Sequence, residues 1–176
     1  MTKTIFTLGL AFILAAHAFA QDKKEESAPK GGGEELKDLK RPGDIGDAEV
    51  DGFVNQSFDL YDGTLATDKN LKALETDVEK IEKEGTKIKS DADVAKRLYA
   101  IQGEIRKRDD KVKELDNKAA DMLKHAKEIK PIGKVPKATK NVNAATKALD
   151  RTKEMTPAQV KKTEELSERI KKMTQD

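Results

Sequence analysis

Residues 94–129 read VAKRLYAIQGEIRKRDDKVKELDNKAADMLKHAKEI, and this stretch decides the fold. Apolar or small residues recur in it at alternating steps of four and three, with one interruption at Arg108. This apolar stripe consists of Val94, Leu98, Ile101, Ile105, Val112, Leu115, Ala119, Met122, Ala126 and Ile129. The spacing predicts one long helix with a narrow buried face. If the stripe is internal, we expect a carboxylate from another helix to face Arg108.

Weaker helical patterns flank the long helix, and turn-forming residues divide them. Asp62-Gly63 weakens the end of the first pattern, and Gly85 interrupts the second, where glycine weakens a helix by about 1 kcal/mol relative to alanine. These interruptions predict two separate helices before the long one.

The boundaries of the later helices follow from capping residues and prolines. Ser90 lies three residues before Asp93 and the apolar seam changes phase there, which predicts a new helix start. Pro131 stops that helix, and Thr156-Pro157 is typical of another helix start. The predicted helices therefore cover about 47–64, 68–88, 90–130, 139–155 and 156–174.

No segment shows the alternation of a β-strand, so the predicted fold is all-α. We expect an elongated antiparallel bundle with coiled-coil-like hairpins, four or five helices and the long helix at its centre. A parallel homodimer of that helix would place Glu104 against Asp109, which repel each other. An antiparallel hairpin would bring Glu84 near Arg97, although it would also bring Asp77 near Glu104. We favour intrachain packing, and a monomer over a homo-oligomer.

The N-terminus predicts export. Lys3, the apolar run 5–16 and the small-x-small site Ala18-Phe19-Ala20 together are typical of a cleaved signal peptide over 1–20. The charged, glycine-containing segment 21–46 predicts a disordered tether, and 47–176 the helical domain. We expect a periplasmic or, failing that, an extracellular protein whose mature chain has no transmembrane segment.

Composition narrows the class of function. The chain contains no cysteine, which excludes disulfides and thiolate chemistry. Its net charge is only +2, but residues 21–90 carry 12 basic and 18 acidic side chains, whereas 131–176 carry 11 and 6. A near-neutral total with few aromatic residues does not predict nucleic-acid binding. The two halves either attract each other or leave a basic docking end.

Three of the aromatic residues lie close together in the first predicted helix, at Phe53, Phe58 and Tyr61. Aromatic side chains dominate the energetics of both cores and interfaces. The cluster is therefore either a core plug, which we favour, or a patch that binds a partner.

The segment from Asp47 to Gly52 resembles the first half of an EF-hand calcium loop, with carboxylates at its first, third and fifth positions. The resemblance ends at the twelfth position, which is Phe58 and not a carboxylate. An acidic helix N-terminus explains the same residues, and we predict no metal and no other cofactor.

Catalytic residues are scarce. His125 is the only histidine after the signal segment, and it shares a helix face with Asp121 and Glu128, an arrangement that we interpret as a solvated ion-pair face. Neither a nucleophile elbow nor a phosphate-binding loop occurs. We therefore predict that the protein is not an enzyme.

The basic stretch between Glu128 and Asp150 contains no acid, and it is the best lead to a function. It could lie on a protein, on anionic lipid or on another anionic envelope component, or it could simply be neutralised by the acidic N-terminal half. We predict a structural or interaction protein, an adaptor or spacer of the cell envelope, with a holdase-type chaperone and a membrane-surface-binding protein as alternatives. The candidate lysines are Lys130, Lys134, Lys137, Lys140 and Lys147.

Overall fold

The computed structural model describes residues 39–89 and 92–174. Within them the chain forms three long helices, α1 (Ala48–Glu84), α2 (Asp93–Glu128) and α3 (Val135–Met173), with one 3-10 turn at Ile132–Lys134. All three helices pack on one another, and no sheet occurs in this part of the chain. The all-α bundle is confirmed. The predicted count of four or five helices is wrong, because two predicted breaks are continuous helix.

Ion pairs between the helices show their directions. The end of α1 meets the start of α2, so these two helices run antiparallel. Arg108 of α2 contacts Gln159 and Asp116 contacts Lys153, so α2 and α3 also run antiparallel. The defining pairs are Arg97–Asp77 at 2.5 Å, Lys153–Asp116 at 2.9 Å and Arg169–Glu82 at 2.7 Å. Arg97 therefore pairs with Asp77, about two turns of helix away from the predicted Glu84.

Helix α1 continues through Asp62-Gly63, where the sequence predicts a break. Tyr61 and Thr64 are buried on either side of the pair, so tertiary packing holds the backbone helical against the local turn preference. A Cβ atom at Gly63 would lie 3.4 Å from Nε of Arg108. The glycine thus makes room for a guanidinium and does not mark a turn.

Helix α3 continues through Pro157 for a similar reason. The proline ring is exposed, while Thr152 and Gln159 on the turns before and after it are buried in the bundle. Proline lacks the N–H that would reach the carbonyl one turn earlier. The hydroxyl groups of Thr152 and Thr156 donate to backbone carbonyls of the preceding turns at 2.9 and 2.8 Å, so this part of the helix has additional donors.

The predicted boundaries around α2 agree better with the structure. Helix α1 ends at Glu84 because Gly85 adopts a φ of 64°, a left-handed conformation that suits glycine. Helix α2 ends at Glu128, before Pro131. It begins at Asp93 with Ala92 as its N-cap, and the proposed cap Ser90 lies outside the described residues.

The apolar stripe of α2 is confirmed as its buried face. It contributes to two apolar clusters, one around Phe58 and Leu149 and the other around Leu74 and Leu166. Ala119 and Met122 are only half-buried. The buried members are Val94, Leu98, Ile101, Ile105, Val112, Leu115, Ala126 and Ile129.

The signal peptide predicted over 1–20, and the predicted tether up to residue 38, lie outside the described residues. The last part of that tether, residues 39–46, lies against the bundle and buries Ile45. None of the helices that the structure describes has an apolar stretch long enough to cross a membrane.

Candidate functional site

The aromatic cluster predicted at Phe53, Phe58 and Tyr61 lies in the core. Their exposed fractions are 4%, 1% and 2%, and all three belong to the cluster that also contains Leu149. A partner could not reach these rings without opening the bundle. The burial supports the core-plug interpretation, and Tyr99 on α2, 67% exposed, is the accessible aromatic side chain of the described residues.

The five candidate lysines do not lie on one loop. Lys130 follows α2 and Lys134 belongs to the 3-10 turn, whereas Lys137, Lys140 and Lys147 project from α3. The predicted linker is therefore shorter than expected, because α3 begins at Val135 and not near residue 139. The early start gives Lys140 and Lys147 fixed positions two helical turns apart on one face.

These five lysines lack ion-pair partners among the described residues, a property that they share with other exposed lysines such as Lys72, Lys96 and Lys107. Within the described ranges, none of the five has a carboxylate within 4.0 Å. Elsewhere on the surface such pairs are common, and Lys111 and Lys118 together lower the pKa of Glu114 to about 2 by hydrogen bonding. The basic charge at the start of α3 is therefore not neutralised by neighbouring side chains of the described residues.

A groove runs along the first three turns of α3. Its volume is about 560 Å³, and Leu39, Phe58 and Ala144 supply apolar atoms to it. Lys40, Lys140 and Lys147 also line it, all three of them exposed. The lining residues that α3 contributes recur at the spacing of one helix face, and they are Pro136, Thr139, Lys140, Asn143, Ala144 and Lys147.

Lys40 is part of this site although the sequence places it in the tether. Two hydrogen bonds from α3 fix the segment that follows it: Lys137 Nζ donates to the Asp44 carbonyl and Asn141 Nδ2 to the Gly43 carbonyl, both at 2.9 Å. Lys137 is thus partly a structural residue. Sequence reasoning missed Lys40 because nothing local indicates that residues 39–46 return to α3.

Two carboxylates lie beside the groove, and Arg41 engages both. Its guanidinium donates to Asp59 at 2.6 Å and to Asp62 at 2.7 Å, and it lies 5.9 Å from the centre of the Phe58 ring. The pKa of Arg41 is raised, mainly by the hydrogen bond to Asp59. The three side chains of this network together carry one net negative charge.

The EF-hand-like residues serve the start of α1. Asp47 is the N-cap, and its carboxylate accepts the N–H of Val50 at 3.0 Å. Asp51 accepts backbone N–H groups of residues 45–47 at 2.9 to 3.1 Å. These carboxylates accept the backbone N–H groups at the start of α1, which agrees with the interpretation of this segment as an acidic helix N-terminus.

His125 faces α1 and not the carboxylates of its own helix. Its Nε2 atom lies 3.2 Å from Oδ1 of Asp47, and its Nδ1 atom 3.9 Å from Glu49. The hydrogen bond from Val50 and the contact with His125 lower the pKa of Asp47 below its ordinary value of 3.8. The pair therefore links the end of α2 to the cap of α1.

Between the two apolar clusters lies a layer of polar side chains, which we call the polar layer: Thr64, Thr67, Asp68, Arg108 and Gln159. The Gln159 amide, 2% exposed, donates to the Thr64 carbonyl at 2.8 Å and to Asp68 at 2.6 Å. Arg108 donates to Thr67 at 2.6 Å and to Gln159 at 3.4 Å. Neutral oxygens therefore receive the guanidinium, in place of the carboxylate expected from the sequence.

Burial lowers the pKa of Arg108, and the charges of Glu104 and Asp68 oppose that effect. An arginine in an apolar seam is the signal that indicates such a layer. The neutral partners of Arg108 on α1 and α3 cannot be identified from the sequence, because threonine and glutamine mostly lie on exposed faces.

In the described part of the chain, no group of three or more His, Asp or Glu side chains is arranged to hold a metal ion. The lysine-lined groove along α3 is the candidate site, because three exposed lysines lie there around apolar side chains. No family model, curated protein or solved structure matches this chain.

Proposed function

We propose that this protein is a non-enzymatic, exported interaction module of the cell envelope that docks an acidic protein partner through the groove along α3. The observation that carries the proposal is the set of three groove lysines, Lys40, Lys140 and Lys147, which have no carboxylate within ion-pair distance among the described residues. The predicted signal peptide supports the location.

Unpaired lysines around a groove favour an anionic ligand because binding supplies the carboxylates that folding does not. One exposed ion pair contributes only about 0.2–1 kcal/mol, so a useful affinity needs several together. Three ammonium groups on one groove meet that condition, and their attraction also speeds encounter with an acidic partner. Binding should weaken as salt rises, since exposed charges are screened.

The composition of the groove supports binding over chemistry. Its lining offers ammonium groups, the hydroxyl of Thr139 and the amide of Asn143, and neither a carboxylate nor an imidazole of the described residues lines it. General acid–base catalysis at neutral pH usually relies on one of the latter groups. The arrangement therefore favours the role of an adaptor or spacer.

The test measures binding of fluorescein-labelled poly-L-glutamate to the mature chain, residues 21–176, by fluorescence anisotropy. The triple variant Lys40→Glu, Lys140→Glu, Lys147→Glu should lose binding by about tenfold or more, because three attractions become repulsions. The matched control reverses three exposed lysines away from the groove that also have no carboxylate partner in the described chain, Lys72, Lys96 and Lys107.

The control variant changes the net charge by the same amount, so it separates the site from the total charge. We expect it to retain most of the affinity. An equal loss in both variants would contradict a specific groove. Binding to phosphatidylglycerol vesicles without binding to poly-L-glutamate would replace the protein partner with a lipid surface.

A further inference from the structure

We infer that the groove accepts an acidic amphipathic helix of the partner, which packs along α3 as a fourth helix of the bundle. This inference rests on the proposed function and names the form of its ligand. It starts from the lining residues of α3, which follow the spacing of one helix face over three turns. From Pro136 to Lys147 that face extends about 16 Å at 1.5 Å per residue.

The small side chains on this face permit close approach of another helix. Thr139, Asn143 and Ala144 occupy its middle, and helices pack at interaxial distances of about 8–10 Å when the contacting residues are small. The volume of about 560 Å³ lies within the range of about 300–1,000 Å³ that is usual for ligand sites. It can receive more than one apolar side chain of a partner.

The groove combines an apolar floor with charges at fixed spacing. Leu39 and Ala144 are half-buried and supply the accessible apolar surface, with the buried Phe58 ring beneath them. Lys140 and Lys147 stand seven residues apart, or about 10 Å along the axis. A partner helix with leucines toward the floor and carboxylates two turns apart would match both features. Recognition of this kind depends on anchors at i, i+3 or i+4 and i+7.

Other anionic ligands match the groove less well. A bilayer is flat, and it would meet the lysines at the rim without filling the apolar floor. Single-stranded nucleic acid usually stacks on aromatic side chains. The ring of Phe58 is 1% exposed, and the accessible Tyr99 lies on α2, so neither presents a stacking surface in the groove.

The experiment compares three probes on the full mature chain by fluorescence anisotropy and far-UV circular dichroism. The first is an 18-residue peptide with leucines at helical spacing and glutamates every seven residues, the second has the same composition in scrambled order, and the third is poly-L-glutamate. We expect the amphipathic peptide to bind about tenfold more tightly than the scrambled one, since it alone buries leucines in the groove. Its helicity should rise on binding.

Variants that block the floor without changing charge separate shape from electrostatics. Ala144→Trp should weaken binding of the amphipathic peptide by about tenfold and leave binding of poly-L-glutamate unchanged. Ala73→Trp, at an exposed position of α1, should change neither affinity. Asn143→Trp, at an exposed position of the groove, gives the same test if Ala144→Trp does not fold.

Two failures are distinguishable. If all three probes bind equally and Ala144→Trp has no effect, the groove is only a charged surface. That result would refute binding of an amphipathic helix and leave the proposed function intact. If no probe binds, or if the triple lysine variant binds as well as the wild type, the proposed function is contradicted. The inference of a helical ligand, which rests on it, is then contradicted as well.

Discussion

The polar layer predicts a measurable cost for replacing Gln159 by an apolar side chain. In the Gln159→Leu variant, the two bonds that the amide donates to Thr64 and Asp68 are lost, together with the bond from Arg108. Each bond contributes about 0.5–1.5 kcal/mol net, and the leucine regains about 1 kcal/mol of apolar burial. We therefore expect the free energy of unfolding to fall by about 2 kcal/mol.

Urea unfolding followed by circular dichroism measures this loss, and the melting temperature should fall by about 6–8 °C for a domain of this size. Gln159→Ala should cost about 1 kcal/mol more, because it leaves a cavity between the two apolar clusters. The control Gln56→Leu, at an exposed position of α1, should stay within about 0.5 kcal/mol of the wild type. A Gln159→Leu variant as stable as the wild type would refute a stabilising polar layer.

Three further outcomes can be checked by the same unfolding assay. Gly103→Ala should stabilise the protein by about 0.5–1 kcal/mol, since a Cβ atom there meets no atom within 4 Å and alanine is the better helix former; a destabilised variant would contradict the helical environment. Gly85→Ala should destabilise it by about 1 kcal/mol because the φ of this residue is +64°, and a neutral result would contradict that conformation. Asp47→Ala should cost about 1 kcal/mol through the lost N-cap. Because the pKa of Asp47 is lowered in the folded state, its charge stabilises the protein above the ordinary pKa of 3.8; this advantage over Asp47→Asn should disappear as the pH falls through the folded pKa, and a constant difference would refute it.

The sequence predicted the elements that local chemistry determines. The apolar stripe of α2 and its stop before Pro131 follow from periodicity and from the missing N–H of proline. The helix predicted to end at residue 88 ends at Glu84, because Gly85 adopts a left-handed conformation. Glycine and proline also occur at positions 63 and 157, where the same rules predict breaks and the helices continue. At these two places buried neighbours on both sides outweigh a local preference of about 1–3 kcal/mol.

The candidate site also combines residues that the sequence indicates with residues that only the fold brings together. Lys140 and Lys147 could be selected from the sequence because a stretch without acids is visible in one dimension. The groove also needs Leu39 and Lys40, which lie about a hundred residues earlier, and Phe58 from α1. Their meeting depends on hydrogen bonds between α3 and the backbone of residues 43 and 44, which no local pattern indicates.

The polar layer and the groove are connected through the register of α1 against α3. Apolar stripes alone specify the register of long helices weakly, because a shift by one heptad again places apolar side chains opposite each other. Gln159 binds Thr64 and Asp68 across the α1–α3 contact, and Arg108 fits beside Gly63, so a shift would leave buried polar groups without partners. A slip of one heptad would displace Phe58 from Ala144 by about 10 Å and divide the groove. The half-buried Arg108 and the buried Gln159 thus fix the alignment on which the proposed binding site depends, at a distance from the site itself.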